Sequence, residues 1–145
     1  MIFTPMPRFL ACAAKALTEA VGKHWEVNGR GPNTFDCWGL VWWVYHKGGV
    51  ELPDWLYDAE SSKNSRESLF NLGISEAVAQ GFQRVDKPSP LAICPLGHGL
   101  NTTHIALYYQ GMYYHCAERH GVVGQSIEAI HTVFTNLSYW YPNAG

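Results

Sequence analysis

Between positions 8 and 24 the apolar residues Phe9, Leu10, Ala13, Leu17, Ala20 and Val21 fall on one face of a chain with 3.6 residues per turn, which predicts a helix. Gly22 and Lys23 follow as its stop signal. The run Asn28-Gly29-Arg30-Gly31-Pro32-Asn33 is dense in turn formers. A second helix is expected to start around Thr34–Asp36, with Asn33, Thr34 and Asp36 as candidate caps, and to reach about His46. Leu40, Val41, Val44 and Tyr45 form its inner face, and Gly48-Gly49 stops it. Leu52-Pro53-Asp54 reads as a turn, Ser61–Ser65 as an exposed polar stretch, and Ser65–Gly81 as one or two short helices with Ser75 capping the second. After Pro88 and Pro90 the pattern becomes that of strands: Leu91–Cys94, Thr103–Tyr109, Met112–Cys116, Ser126–Ile130 and Val133–Trp140. Thr103–Tyr109 and Met112–Cys116 flank Gln110-Gly111, a two-residue turn signal that predicts a hairpin. Helices first and strands second predict an α+β domain with antiparallel strands, one unit spanning residues 1–145 with no linker or internal repeat.

Composition narrows the function classes. With 47% hydrophobic residues the chain can bury a real core. Its 14% aromatics, including six Trp and eight Tyr, suit a binding surface. The net charge is −2 and Lys and Arg form no run, so the electrostatic footprint of a nucleic-acid binder is missing. No apolar stretch approaches the ~20 residues a membrane span needs. Met1–Leu17, interrupted by Lys15, is read as the start of the first helix and not as a secretory signal. Of the four cysteines, none forms a CxxC pair, which argues against a zinc ribbon, and reduced thiols are expected. Cys12, Cys94 and Cys116 sit in apolar runs as small core residues would; Cys37 does not.

Cys37 is placed where a turn feeds a helix. A thiol there meets the positive end of the helix dipole and unpaired backbone N–H groups, which favour the attacking thiolate and can hold an oxyanion. Asp36 opposes thiolate formation, but adjacent helical side chains point apart, so a modest effect is expected. A thiol nucleophile needs a base, most often histidine. With Gln110-Gly111 as the turn, His104 lies roughly opposite Ala117 and His115 opposite Ala106, which puts both imidazoles on one face at diagonal distance. His115 is then able to orient His104, the third role of a triad. A cysteine at a helix start is more often structural than catalytic, and either histidine alone is more often a surface or edge-strand residue. The combination of turn, helix-start cysteine and His-bearing hairpin is what carries the catalytic reading.

Those residues resemble the NlpC/P60 family of cell-wall cysteine peptidases. Residues 28–41, NGRGPNTFDCWGLV, are similar to the family block Gly-Gly-x-x-Pro-x-x-Phe-Asp-Cys-x-Gly-Leu-Val, and residues 104–122, HIALYYQGMYYHCAERHGV, to its His-Val-Gly-Ile-Tyr-x-Gly block with a following histidine. The resemblance implies a papain-like α+β fold, with N-terminal helices, the Cys helix among them, packed on a small antiparallel sheet. It implies Cys37 as nucleophile, His104 as general base, His115 as orienting residue, and hydrolysis of an amide in the peptidoglycan stem peptide without metal or cofactor. Trp25, Asp36, Trp38, His98 and Glu118 are the candidate substrate contacts. Three positions depart from the pattern: Trp25 stands where many members have Tyr, Ser89-Pro90 where Gly-Asp is usual, and Trp38 where many have Ser. Phe35 to Val44 followed by Gly48-Gly49-Val50-Glu51-Leu52-Pro53-Asp54 is similar to phage tail members of the family. That similarity implies a virion location, with tail-tip or hub proteins as partners. A structural tail component that keeps the fold, or an amidase or acyltransferase on it, are the alternative readings; a Cys/His zinc site is disfavoured because the ligand spacing is not clustered.

Overall fold

The computed structural model describes residues 5–54, 82–99 and 101–142. The expectations for Ser61–Ser65 and Ser65–Gly81 lie outside the described residues. Helix α1 (Pro7–Ala20) opens with a proline in its first turn and buries Phe9, Ala13, Ala16, Leu17 and Ala20, close to the stripe read from the sequence. A short parallel pair, β1 (His24–Trp25) and β2 (Thr34–Phe35), brackets the turn-rich loop. Helix α2 (Cys37–Lys47) follows at once and is buried on almost every side, Trp38, Leu40, Val41, Trp43, Val44 and Tyr45 included. Three alanines on α1 let it lie close to α2, and the Phe9 and Tyr45 rings meet with centroids 5.0 Å apart. At the far end of α2, the Tyr45 hydroxyl donates to the Leu91 carbonyl at 2.6 Å, tying the helix to the sheet.

The sheet has seven strands: β3 (Gln83–Val85), β4 (Ile93–His98), β5 (Asn101–Tyr109), β6 (Met112–Ala117), β7 (Gly121–Gln125), β8 (Asn136–Leu137) and β9 (Tyr139–Tyr141). The spatial order is β3-β9-β4-β5-β6-β7, with β8 also paired to β4, and every pairing is antiparallel. Alternation along β5 sends Ile105 and Leu107 into the core under α1 and α2, and Ala106 into a second core on the opposite face, as a period of two requires. That second core is closed by a short helix, α3 (Ile127–His131), through Ile130.

Several stretches differ from the sequence reading: β1, β2 and β3 were not foreseen, and β4 runs on to His98 where the apolar run Leu91–Cys94 marked only its start. Ser126–Ile130, expected as a strand, is the capped start of α3: the Ser126 side chain accepts from Ala129 N–H, and Glu128 sits in the first turn. Five residues are too few for periodicity to separate helix from strand, so the cap decides. Val133–Trp140, expected as one strand, is two short ones broken at Ser138. Strand β7 was not foreseen, because Gly121 and Gly124 hide it. Gly121 adopts φ +70, and a Cβ there would come within 2.2 Å of the Lys23 carbonyl, which itself accepts from Val122 N–H.

Candidate functional site

The loop before α2 is built around one carboxylate. Asp36 has no exposed surface. Gly39 N–H donates to it at 2.6 Å and Asn28 N–H at 2.8 Å, and Arg30 Nη1 pairs with it at 2.9 Å. The same guanidinium donates to the Gly29 carbonyl and, through Nε, to Asp54. Burial pushes the Asp36 carboxyl above its usual range, against the pull of Arg30 and the two backbone donors. Asp36 was a candidate substrate contact; the structure makes it the N-cap of α2, its oxygens all turned inward. Gly39 is required by the same packing: a Cβ there would lie 1.8 Å from the Gly29 oxygen.

Cys37 is the first residue of α2 and 5% exposed. The backbone N–H groups of Ile105 and Trp38 are near enough to its sulfur to favour the charged form, so the thiol rests against β5 at the residue that follows His104. The expectation of a thiol lowered by the helix terminus is corrected here. Burial pushes it well up, Asp36 pushes it further, and the two backbone donors offset only part of that. Burial of this kind disfavours the charged form of the thiol.

A row of hydrogen-bonded side chains crosses three strands of the sheet. The hairpin register is Tyr109↔Met112, Tyr108↔Tyr113 and Leu107↔Tyr114, as the turn at Gln110-Gly111 predicted. Beyond Leu107 the ladder between β5 and β6 ends, although both strands continue. In that opening, His104 Nε2 and His115 Nδ1 lie 2.8 Å apart, with ring planes at 87°. His115, 6% exposed, reaches on to Gln125 on β7, its Nε2 being 2.7 Å from Oε1. Val123 faces His115 in the ladder and Gln125 is two residues further, hence on the same face. Desolvation holds His115 below the ordinary imidazole value, more strongly than the Gln125 contact raises it. Phe134, after α3, lies parallel to His104 at 5.9 Å, and His98 also stacks on Phe134 at the same centroid separation, its plane tilted by 30°.

Sequence reasoning missed Gln125 and Phe134. Reading Gly121–Gln125 as a strand after the turn at Glu118–His120 would have placed Gln125 on the His115 face. Phe134 sits in an irregular segment that carries no periodic signal. The remaining candidates are scattered. Trp38 is 2% exposed and its indole N–H donates to the Pro53 carbonyl at 2.9 Å, which corrects its placement from cleft wall to core. Trp25 is half-buried on β1, paired with Phe35 and packed on the helix-side core. His98 is exposed at the end of β4, and Glu118 is exposed on the turn after β6. A groove of about 640 Å³, lined by Arg84, Thr102, His131, Asn136 and Trp140 among others, lies by β8 and β9, and none of Cys37, His104 or His115 lines it. Among the described residues no group of three or more His, Cys, Asp or Glu is arranged to hold a metal ion, and none of the helices is long and apolar enough to cross a membrane.

A helix-start cysteine set against a strand, with an imidazole pair on that strand and the next, defines the papain-like class of α+β domain. The chain belongs to the NlpC/P60 family, whose model matches residues 22–141. Over 88 residues it is 33% identical to a protein of Listeria welshimeri described as a probable endopeptidase p60; the match takes in 61% of this chain and 14% of that one. The chain thus spans about a seventh of that relative. The NlpC/p60 domain of the peptidoglycan hydrolase SagA superposes with a TM-score of 0.59 at 19% identity, over 90% of this chain and 97% of that one. RipD of Mycobacterium tuberculosis, described as a non-catalytic NlpC/p60 domain protein adapted to peptidoglycan binding, gives 0.54 at 15% identity, over 91% and 95%. At these identities the structural likenesses speak for the fold.

Proposed function

We propose that this chain is a cysteine endopeptidase that hydrolyses an amide bond in the stem peptide of bacterial peptidoglycan. The observation that carries the reading is the Cys37 sulfur beside the Ile105 N–H, next in sequence to a His104 that is hydrogen-bonded to His115. In this reading His104 takes the thiol proton as the sulfur attacks the amide carbonyl, and the tetrahedral oxyanion is met by N–H groups at the start of α2. His104 then returns the proton to the leaving amine, which departs and leaves a thioester on Cys37. Water, deprotonated by His104, attacks the thioester, releases the carboxylate and restores the thiol. Burial disfavours a free thiolate, so in this reading proton transfer accompanies attack. The substrate class is that named for the SagA relative. The stretch Gly48–Asp54, similar to phage tail members, supports the finer proposal that the enzyme is carried on a virion tail with tail-tip or hub proteins as partners.

A second reading is favoured by a specific pair of observations: the 5% exposure of Cys37 and the existence of a non-catalytic relative with this fold. In it the domain binds the wall peptide without cutting it. Incubating purified protein with peptidoglycan and following the soluble peptides by mass spectrometry separates the two. Wild type is expected to release new peptide termini, whereas Cys37→Ala keeps its fold and releases none; equal release by both would remove the thiol from the mechanism. An amidase or acyltransferase would be recognised by the product masses.

A further inference from the structure

We propose that Gln125 is a positioning residue that fixes the tautomer of the histidine pair, so that the Nδ1 of His104 carries no proton and can serve as the base of the catalytic reading. The inference rests on the catalytic reading above and assigns a role to a side chain which that reading does not use. It follows from counting protons along the row. Neutral imidazole carries one N–H. The Gln125 amide oxygen, 2.7 Å from His115 Nε2, accepts a hydrogen bond, so the single proton of His115 sits on Nε2. His115 Nδ1 is then an acceptor, and the partner 2.8 Å away, His104 Nε2, must be the donor. With the His104 proton on Nε2, its Nδ1 keeps the lone pair a general base needs. Reversing the first bond reverses the chain: a donor at Gln125 would leave His104 with its proton on Nδ1 and its lone pair turned toward His115, so that Nδ1 could not accept the thiol proton.

Burial makes this arrangement consequential. His115 is buried and its charged form is disfavoured by desolvation, so the count is made on its neutral form. Other titratable groups near the row are His120, whose charge reaches His115, and Asp36, whose charge reaches Cys37 and Cys116. Phe134 holds the plane of the His104 ring by stacking, which leaves the proton position to the hydrogen bonds. The ladder pair Tyr113↔Gln125 anchors the Gln125 backbone one strand away.

The test uses the whole chain, labelled with ¹⁵N-histidine, in wild type, Gln125→Glu and Gln125→Met. Long-range ¹H–¹⁵N spectra read the tautomer directly and need no substrate. Wild type is expected to show His115 and His104 both protonated on Nε2. Glu accepts but cannot donate when ionised, so Gln125→Glu keeps that tautomer and moves the acid limb of the kcat/KM profile on peptidoglycan to higher pH. Met fills the same space without an acceptor, and its spectra should show mixed tautomers with kcat about 10- to 100-fold lower at unchanged KM, the scale on which partners of functional histidines act. A wild-type His115 protonated on Nδ1, or an unchanged tautomer in Gln125→Met, would overturn the assignment. Absence of hydrolysis in wild type would defeat the catalytic reading while leaving the tautomer result legible. Normal hydrolysis with the opposite tautomer would defeat this inference alone. Should Gln125→Met not fold, the wild-type and Gln125→Glu spectra decide.

Discussion

Replacing Gly39 with alanine adds one methyl group to the first turn of α2, where helix propensity alone predicts a gain of about 1 kcal/mol. The structure predicts the opposite sign. The new Cβ would stand 1.8 Å from the Gly29 carbonyl oxygen, 2.9 Å from Arg30 Nη1 and 3.0 Å from Asp36 Oδ1. The nearest of these is backbone and cannot swing aside, so the loop must move off the helix. Overpacking of that kind costs about 1–3 kcal/mol or more. Moving the Gly29 carbonyl also disturbs its bond from Arg30 at 3.0 Å and the contact from Asp36 N–H at 3.3 Å, of which the charged one alone is worth about 1.5–3 kcal/mol. Set against the propensity gain, the net loss is roughly 2–4 kcal/mol, or a fall in Tm of roughly 5–15 °C for a domain of this size. Urea unfolding followed by circular dichroism measures it, and Gly39→Ser should behave alike. A Gly39→Ala protein as stable as wild type, or more so, would show that the loop does not press on the helix as described. The reasoning about the Cys37 setting would then fall with it.

Two further outcomes are expected. Tyr45→Phe leaves the Leu91 carbonyl without the donor it has at 2.6 Å, which should cost about 1–3 kcal/mol in urea unfolding because the site is fully buried; an unchanged midpoint would mean that another donor, such as water, takes its place. His115 is held below its ordinary value of 6.5, so on acidification the unfolded chain takes up this proton first. Its contribution to stability is therefore complete above about pH 6.5 and declines as the pH falls through the folded value. Midpoints measured between about pH 7.5 and 5 should fall less steeply in His115→Asn than in wild type, and equal slopes would refute the assignment.

Much of the fold was legible in local chemistry. The α1 stripe, the turn before Cys37, the cap at Asp36 and the hairpin turn at Gln110-Gly111 are each set by neighbours in sequence, and the register from that turn led directly to the contact between His104 and His115. What escaped was set by distant parts of the chain. The Cys37 thiol looked activated because only its own helix was in view; β5 covers it and Asp36 is buried beside it, and desolvation outweighs the dipole. Trp38 looked like a cleft residue until Pro53 was found accepting its N–H. Strand β7 was hidden because its glycines answer to contacts with Lys23 and Tyr114 that no window of neighbouring residues contains. Gln125 was lost with it.

The early end of the β5–β6 ladder sets a trade between robustness and chemistry. Each additional rung would lend this ribbon roughly 0.5–1.5 kcal/mol. Closing the two strands like a zip past Leu107 and Tyr114 would also claim the Ile105 amide now near the sulfur and crowd the two imidazoles beside it. Variants selected only for thermal endurance are therefore expected to drift toward a tighter, inert ribbon. A screen that rewards melting temperature and turnover together should find that seam the hardest part of the molecule to improve.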